Sequence, residues 1–212
     1  MKAKNIVTSI VILLVLVGLY WVLVHKRDDK NANTSEPPSN TSAFSLTFKK
    51  PKWLEGHQKQ DTIEEYINER RETILKSAIE FERKYPKSVA LPFTLDITLE
   101  RVIVGEYESI LITDYEFAGG AHGMTKYVSY TLHNNKDISL TEYLKTKGIS
   151  IGELLTQVNN RIKEDNYWLK DSLDNVIWQV HPPDKDNPIG IRLIFGPYEV
   201  ASYSEGTIKY TF

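Results

Sequence analysis

The first pattern along the chain is an uncharged apolar run that begins at Ile6 and ends at Val24. As a helix, residues 6–24 measure roughly 28 Å at about 1.5 Å per residue, close to a bilayer core of about 30 Å. Tyr20 and Trp21 lie near the end of the run, where amphipathic rings prefer the membrane interface. The pattern predicts one N-terminal transmembrane helix, preceded by a short tail of residues 1–5.

A cleaved signal peptide is the competing interpretation, because Lys2 and Lys4 supply a basic start. The apolar run exceeds the usual length of about 7–15 residues, however, and no A-x-A-like cleavage site follows it. We therefore favour an uncleaved anchor. Its orientation is not decided by charge, since Lys26, Arg27 and Lys30 balance the two N-terminal lysines.

Residues 25–42 are polar, with Ala32 as the one apolar aliphatic side chain and a Pro37-Pro38 pair that opposes a helix. Such a composition cannot bury enough surface to offset the entropy lost on ordering. It predicts a flexible linker between the anchor and a folded domain of residues 43–212.

The domain begins with a helical pattern. Ile63, Ile67 and Ile74 recur on one face of a predicted helix from Asp61 to about Lys84. Asp61 and Glu64 resemble a variant of the capping box that opens such helices.

Alternating patterns follow. From residue 91 to residue 104, Phe93, Leu95, Ile97 and Leu99 alternate with polar side chains, as in a half-buried strand. Further strands are predicted at residues 110–117, 127–132, 191–195 and 207–212, and short helices at 139–143 and 151–165. The expected fold class is α+β, a mainly antiparallel sheet with packed helices. A two-part domain, 43–104 and 105–212, is compatible with this order.

Composition narrows the function classes. The net charge is −2 and the chain contains no cysteine, so neither disulfides nor thiol chemistry are expected. Weak acidity argues against nucleic acid as a partner, because such binding needs clustered basic residues. No nucleophile elbow, zinc-protease helix, phosphate loop or dinucleotide fingerprint occurs, and the five histidines show no metal-ligand spacing. The sequence therefore predicts no catalytic residue, no metal and no cofactor.

A glycine-rich stretch separates two predicted strands and is the first candidate site. It includes Gly119, Gly120, Ala121 and His122, shortly after Tyr115. Glycines supply backbone conformations that other residues avoid, which favours a structural role for the loop and a hydrogen-bonded His122. The alternative is a rigid surface lip whose backbone amides and imidazole contact a partner.

Three motifs carry a resemblance to a known family. They are "YEFAGGAHGMTKYVSYTL", "DISLTEYL" and "FGPYEVASYSEG", which together lie between residues 91 and 212. In order and spacing they resemble the extracytoplasmic domain shared by the lysozyme-sensing anti-sigma factor RsiV and the N-terminal region of the peptidoglycan deacetylase PdaC. The P-Y-E-V portion adds Tyr198 to the candidate binding residues.

The resemblance implies a location and a role. It places the domain outside the cytoplasmic membrane, on a single-pass anchor with the C-terminal domain extracytoplasmic and residues 1–5 as a short cytoplasmic tail. Only five residues precede Ile6 and the chain stops at Phe212, so neither sigma-factor binding nor deacetylation is expected. The leading hypothesis is an envelope-anchored binding or sensor module that recognises lysozyme-like hydrolases or a cell-wall glycan. Aromatic residues available for stacking or anchoring follow: Tyr167, Trp168, Trp178, Tyr198 and Tyr203.

The alternative hypothesis is an envelope hydrolase in which His122 acts with a nearby carboxylate, Asp114 or Glu116. The two hypotheses differ in one geometric respect. A hydrolase requires His122 in a cleft with a carboxylate within hydrogen-bond reach.

Overall fold

The computed structural model describes residues 44–85 and 93–212. The predicted tail, anchor and linker (residues 1–5, 6–24 and 25–42) lie outside the described residues. Within the described ranges, no helix is both long and apolar enough to cross a bilayer.

Five strands form the first sheet, in the order β1-β2-β3-β4-β5. Strand β1 runs parallel to β2, and every other neighbouring pair is antiparallel. The strands are β1 (Phe44–Phe48), β2 (Phe93–Val104), β3 (Tyr107–Phe117), β4 (Met124–His133) and β5 (Lys136–Asp137).

One long helix, α1 (Gln60–Lys84), covers one face of this sheet. Its buried face carries Ile63, Ile67, Ile74 and Ala78, as the helical spacing predicted. They pack on alternate residues of β2 and β3, which all point to the same face because side chains alternate along a strand. The buried strand residues of this core are Phe93, Leu95, Ile97, Ile110 and Ile112.

The predicted capping box at Asp61 and Glu64 is wrong. Helix α1 begins at Gln60 after Lys59, which makes no side-chain cap, so Asp61 lies inside the first turn. Its carboxylate is still well placed against the positive end of the helix dipole.

The second sheet and two shorter helices enclose a second core. The sheet has the order β6-β7-β8 and is antiparallel, with β6 (Ile177–Val180), β7 (Ile191–Phe195) and β8 (Ile208–Thr211). Helices α2 (Leu140–Thr146) and α3 (Ile151–Glu164) pack against it through Tyr143, Leu154, Val158 and Ile162.

Both short helices begin with complete capping boxes. Ser139 pairs with Glu142, and Ser150 pairs with Glu153, each serine hydroxyl accepting from the glutamate amide while the carboxylate accepts from the serine amide. Hydrogen bonds from the serine hydroxyl and amide hold the pKa of each glutamate below its usual value. Two S-x-x-E sequences therefore fix where α2 and α3 start.

The edge of the second sheet lies against the face of the first. The backbone amide of Val180, which points away from β7, donates a 2.9 Å hydrogen bond to the buried Ser109 hydroxyl in β3. Ser109 also shares a 2.8 Å hydrogen bond with Thr131 in β4. One outward-facing amide of the β6 edge is thereby paired with a side chain of the first sheet, which leaves this part of the edge less open to strand addition.

The α+β class with a mainly antiparallel sheet is confirmed. Strands β1 and β6 were not predicted, and β4 begins at Met124, earlier than expected. The suggested division after Val104 falls in a tight hairpin turn, where Val104 pairs with Tyr107, so both parts contribute strands to one sheet.

Candidate functional site

The glycine-rich loop joins β3 to β4 across residues 118–123. Gly119 has a φ of +80°, a region that side chains other than glycine rarely adopt, so the structural explanation holds at this position. Gly120 differs. Its φ is outside the left-handed region, and a Cβ added there would meet no atom closer than 3.7 Å.

Gly123 is required by a close approach. A Cβ at this position would lie 2.3 Å from the ring carbon Cζ and the hydroxyl of Tyr115. The Tyr115 ring therefore rests directly on the loop backbone, where only glycine leaves room.

A second segment, residues 196–207 between β7 and β8, reaches the same loop. The Tyr203 hydroxyl donates a 2.6 Å hydrogen bond to the Gly123 carbonyl, and the Tyr203 ring stacks on His122 at 3.9 Å between centroids. Nearby, the hydroxyls of Tyr127 and Thr207 are 2.5 Å apart. The loop of the first sheet and a connection of the second thus form one surface.

His122 also contacts the carbonyl of Gly123, through Nδ1 at 3.1 Å. A carbonyl oxygen only accepts, so Nδ1 carries the proton, and Nε2 of the neutral ring is left as an acceptor. The side chain is exposed. His122 therefore presents one ring face and one nitrogen to solvent.

Tyr198 completes a column of three rings. Its centroid lies 5.7 Å from that of Tyr203, so Tyr203 contacts both His122 and Tyr198. Tyr198 is 53% exposed, whereas Tyr203 is half-buried. The accessible faces of the column belong to Tyr198 and His122.

The backbone of Tyr198 is unusual. Its φ is +70°, a backbone conformation that a tyrosine side chain does not stabilise through a local hydrogen bond. It follows Pro197 in a turn closed by a 3.2 Å hydrogen bond from the Glu199 amide to the Gly196 carbonyl. Proline followed by a residue of positive φ marks a type II turn, in which the Tyr198 position favours glycine.

The candidate carboxylates face the other side of the sheet. Asp114 is fully buried, where it accepts from the Tyr66 hydroxyl at 2.7 Å and from Arg70 Nε at 2.5 Å. Glu116 accepts from Arg70 and, at 2.9 Å, from Lys126. These contacts join α1 to the strands on each side of the glycine loop.

Burial, charges and hydrogen bonds in this network shift the pKa values of Glu116 and Tyr66. Burial raises the pKa of Glu116, but the hydrogen bonds and charges of Lys126 and Arg70 outweigh burial and leave the pKa below its usual value. Burial and the hydrogen bond to Asp114 both raise the pKa of Tyr66. The network therefore favours an ionised Glu116 carboxylate and a neutral Tyr66 phenol at neutral pH.

The constellation required by the hydrolase hypothesis is not assembled among residues 44–85 and 93–212. His122 stacks on Tyr203, whereas Asp114 and Glu116 bind Arg70 on the face opposite Tyr115. No group of three histidine, aspartate or glutamate side chains converges as metal ligands in the part of the chain that the structure describes.

The remaining candidate residues are placed differently from one another. Ala121 is exposed at the tip of the loop. Trp178 is buried in the second core, so it does not belong to the surface, whereas Trp168 is 54% exposed. Tyr167 contacts Glu205 through its hydroxyl at 3.4 Å.

Sequence reasoning missed the central role of Tyr203 and the reason for Gly123. Tyr203 was one of several aromatic residues, and nothing in its spacing from His122 indicated contact over such a sequence distance. The sequence signal for this contact was that both segments contain aromatic residues and glycine.

The comparisons with known proteins found matches among solved structures. No protein-family model and no curated protein matches the chain. A crystal structure of a DUF3298 family member from Bacteroides fragilis has 16% identity and a TM-score of 0.42, covering 72% of this chain and 64% of that chain. A DUF3298 family protein from Pseudomonas aeruginosa PAO1 has 19% identity and a TM-score of 0.36, covering 62% of this chain and 63% of that chain. The chain thus spans less than two thirds of the length of each. DUF3298 denotes a domain of unknown function.

Proposed function

We propose that the protein is a membrane-anchored, extracytoplasmic binding module of the bacterial cell envelope. Its binding surface is the ring column of His122, Tyr203 and Tyr198 with the adjoining glycine loop and Tyr115. The ligand class is a lysozyme-like hydrolase or a cell-wall glycan. The apolar run of residues 6–24 and the resemblance of the three sequence motifs support the location and the ligand class.

The observation that carries the proposal is the conformation of Tyr198. A non-glycine residue at positive φ costs about 1–3 kcal/mol and persists where surrounding structure enforces it. Burial of the ring does not offset this cost, because more than half of the side chain is exposed. Strain combined with an exposed aromatic ring is typical of a residue retained for contact with a partner.

The ring column has a shape suited to recognition. The Tyr203 ring contacts both the His122 ring and the Tyr198 ring, so it joins the members of the column. The outer face of Tyr198 is available for a sugar ring or a side chain of a partner protein. Because the column is already ordered by the Tyr203 hydrogen bond, binding loses little side-chain entropy.

The test is binding by the full-length chain in nanodiscs. Binding of hen lysozyme and of soluble disaccharide–peptide wall fragments is measured by calorimetry for the wild type, Tyr198→Gly and Ile103→Ala. Ile103 is a matched control, being 57% exposed at the far end of β2. We expect Tyr198→Gly to lose at least about tenfold in affinity, which corresponds to about 1.4 kcal/mol, and Ile103→Ala to bind normally. Equal binding by the wild type and Tyr198→Gly, or binding of neither ligand by the wild type, would disprove the proposal.

A further inference from the structure

Strand β1 is an edge of the first sheet in the part of the chain that the structure describes. Within the described residues its one neighbouring strand is β2, and no backbone hydrogen bond beyond that pairing involves residues 44–48. Alternate residues of a parallel edge strand point both the amide and the carbonyl away from the sheet. Natural edge strands are usually blunted by charge, proline or a bulge, and β1, with the sequence FSLTF, contains no charged residue and no proline.

The edge strands β5 and β6 differ from β1 in how open they are to pairing. Strand β5 has two residues and ends in Asp137, and the Val180 amide on the free edge of β6 is hydrogen-bonded to Ser109. The contrast makes β1 a surface that can accept another strand.

The sequence of β1 is symmetric about its centre. Reading outward from Leu46, each direction meets a hydroxyl residue, Ser45 or Thr47, and then a phenylalanine, Phe44 or Phe48. If a second β1 is placed antiparallel with Leu46 opposite Leu46, Ser45 faces Thr47 and Phe44 faces Phe48. Aromatic pairs and hydroxyl pairs directly opposite each other both stabilise antiparallel strands.

We propose that two copies of this chain associate through β1, antiparallel about a two-fold axis at Leu46, so that the two five-stranded sheets become continuous. The interface is isologous, because the same five residues supply both sides. It does not depend on the binding surface at His122 and Tyr198.

Burial supports a second copy as the occupant. Phe44, Leu46 and Phe48 pack against the α1 core but stay only partly buried. Beside them runs a groove of about 260 Å³, lined by Leu46, Phe48 and Ile67 together with Glu64, Asn68 and Arg71. A second β1 would cover the exposed parts of these side chains and bring its own apolar residues to the groove.

Charge selects the antiparallel arrangement. Lys49 and Lys50 follow β1 directly. In a parallel pair these lysines would lie side by side with those of the other copy, whereas in the antiparallel pair they lie at opposite ends. Like charges directly opposite one another are destabilising, so the antiparallel register is favoured.

Single cysteines test both the contact and its register, because the chain contains no cysteine of its own. Directly opposite residues of an antiparallel pair have Cα atoms about 4.5–5.5 Å apart, which suits a disulfide. In full-length chain in detergent under mild oxidation, we expect Leu46→Cys to form a covalent dimer. Ser45→Cys should not, since its own copy is displaced by two residues to about 7–8 Å. The double variant Ser45→Cys/Thr47→Cys should cross-link, and Ser204→Cys, exposed elsewhere, should not.

Charge variants provide an independent measurement on exposed positions that folding does not require. Sedimentation of the wild type should show a concentration-dependent dimer. Ser45→Lys/Thr47→Lys, which opposes like charges, should raise the dimer dissociation constant by at least about tenfold, and Ser45→Lys/Thr47→Glu should restore association. A wild type that sediments as a monomer, or Ser45→Cys cross-linking as readily as Leu46→Cys, would overturn the proposal.

Discussion

The hydroxyl of Tyr203 and the carbonyl of Gly123 are joined by a 2.6 Å hydrogen bond, although 80 positions separate the two residues along the chain. Tyr203 belongs to the connection between β7 and β8, and Gly123 ends the loop between β3 and β4. The candidate surface is therefore a product of the packing of two sheets.

Removing this hydrogen bond should cost modest stability. Tyr203→Phe keeps the ring against His122 but removes one of the two donors to the Gly123 carbonyl, and we expect the free energy of unfolding to fall by about 1 kcal/mol. Urea denaturation measures the change. Tyr115→Phe is the control, since within the described residues the Tyr115 hydroxyl makes no hydrogen bond; it should unfold like the wild type.

Tyr198→Gly should stabilise the fold while it weakens binding. Glycine adopts positive φ without steric cost, so the free energy of unfolding should rise by about 0.5–1 kcal/mol. Tyr198→Ala removes the same ring but keeps the strained backbone. If the alanine variant is stabilised as much as the glycine variant, backbone strain is not the cause.

The two central glycines of the loop should respond differently to alanine. Gly119→Ala forces a side chain into positive φ and should lower stability by about 1–2 kcal/mol. Gly120→Ala introduces a methyl group into open space at an ordinary φ and should be nearly neutral. Thermal melting of both variants checks this, and equal losses would contradict the assignment.

Arg70 should be among the most sensitive polar residues. Arg70→Leu leaves the carboxylate of Asp114 fully buried without its ionic partner, which costs about 3–5 kcal/mol. The double variant Arg70→Leu/Asp114→Leu removes both charges and should recover much of the loss. Urea midpoints that fall further in the double variant would refute this explanation.

The same network predicts a weakening in acid. The pKa of folded Glu116 is below its ordinary value near 4.5, so its contribution to stability is complete above that pH and is lost as the pH falls toward the folded value. Glu116→Gln should therefore lower stability at neutral pH and flatten the decline that sets in as the pH falls below the ordinary value near 4.5. An unchanged pH profile of the urea midpoint would show that Glu116 does not contribute.

Sequence periodicity predicted the elements that have long, regular patterns. The isoleucine spacing identified α1, and alternation from Phe93 identified β2, because each pattern extends over several turns or residue pairs. Strands β1 and β6 were missed although β7 and β8, which have the same lengths of five and four residues, were predicted, so length alone does not explain the omission. Their positions are set by pairing with distant strands, which no local pattern records.

The candidate surface was predictable in part. His122 and Tyr198 stood out as members of separate motifs, and the glycines between strands indicated a constrained loop. The stacking of Tyr203 on His122 depends on how the two sheets dock, and the positive φ of Tyr198 contradicts the usual preference for glycine at that position. Local sequence preferences fail to predict a residue that is kept for a reason other than its own conformational preference.

The Gly123 carbonyl receives its donors from both segments, so the surface exists only while the two sheets are docked. A partial opening that separated them would abolish ligand affinity before either sheet lost its own strands. Conversely, a ligand bound at the ring column would favour the docked state by mass action. The Val180 amide is hydrogen-bonded to Ser109, and neither residue belongs to the ring column. Hydrogen exchange of this amide would then slow in proportion to ligand occupancy.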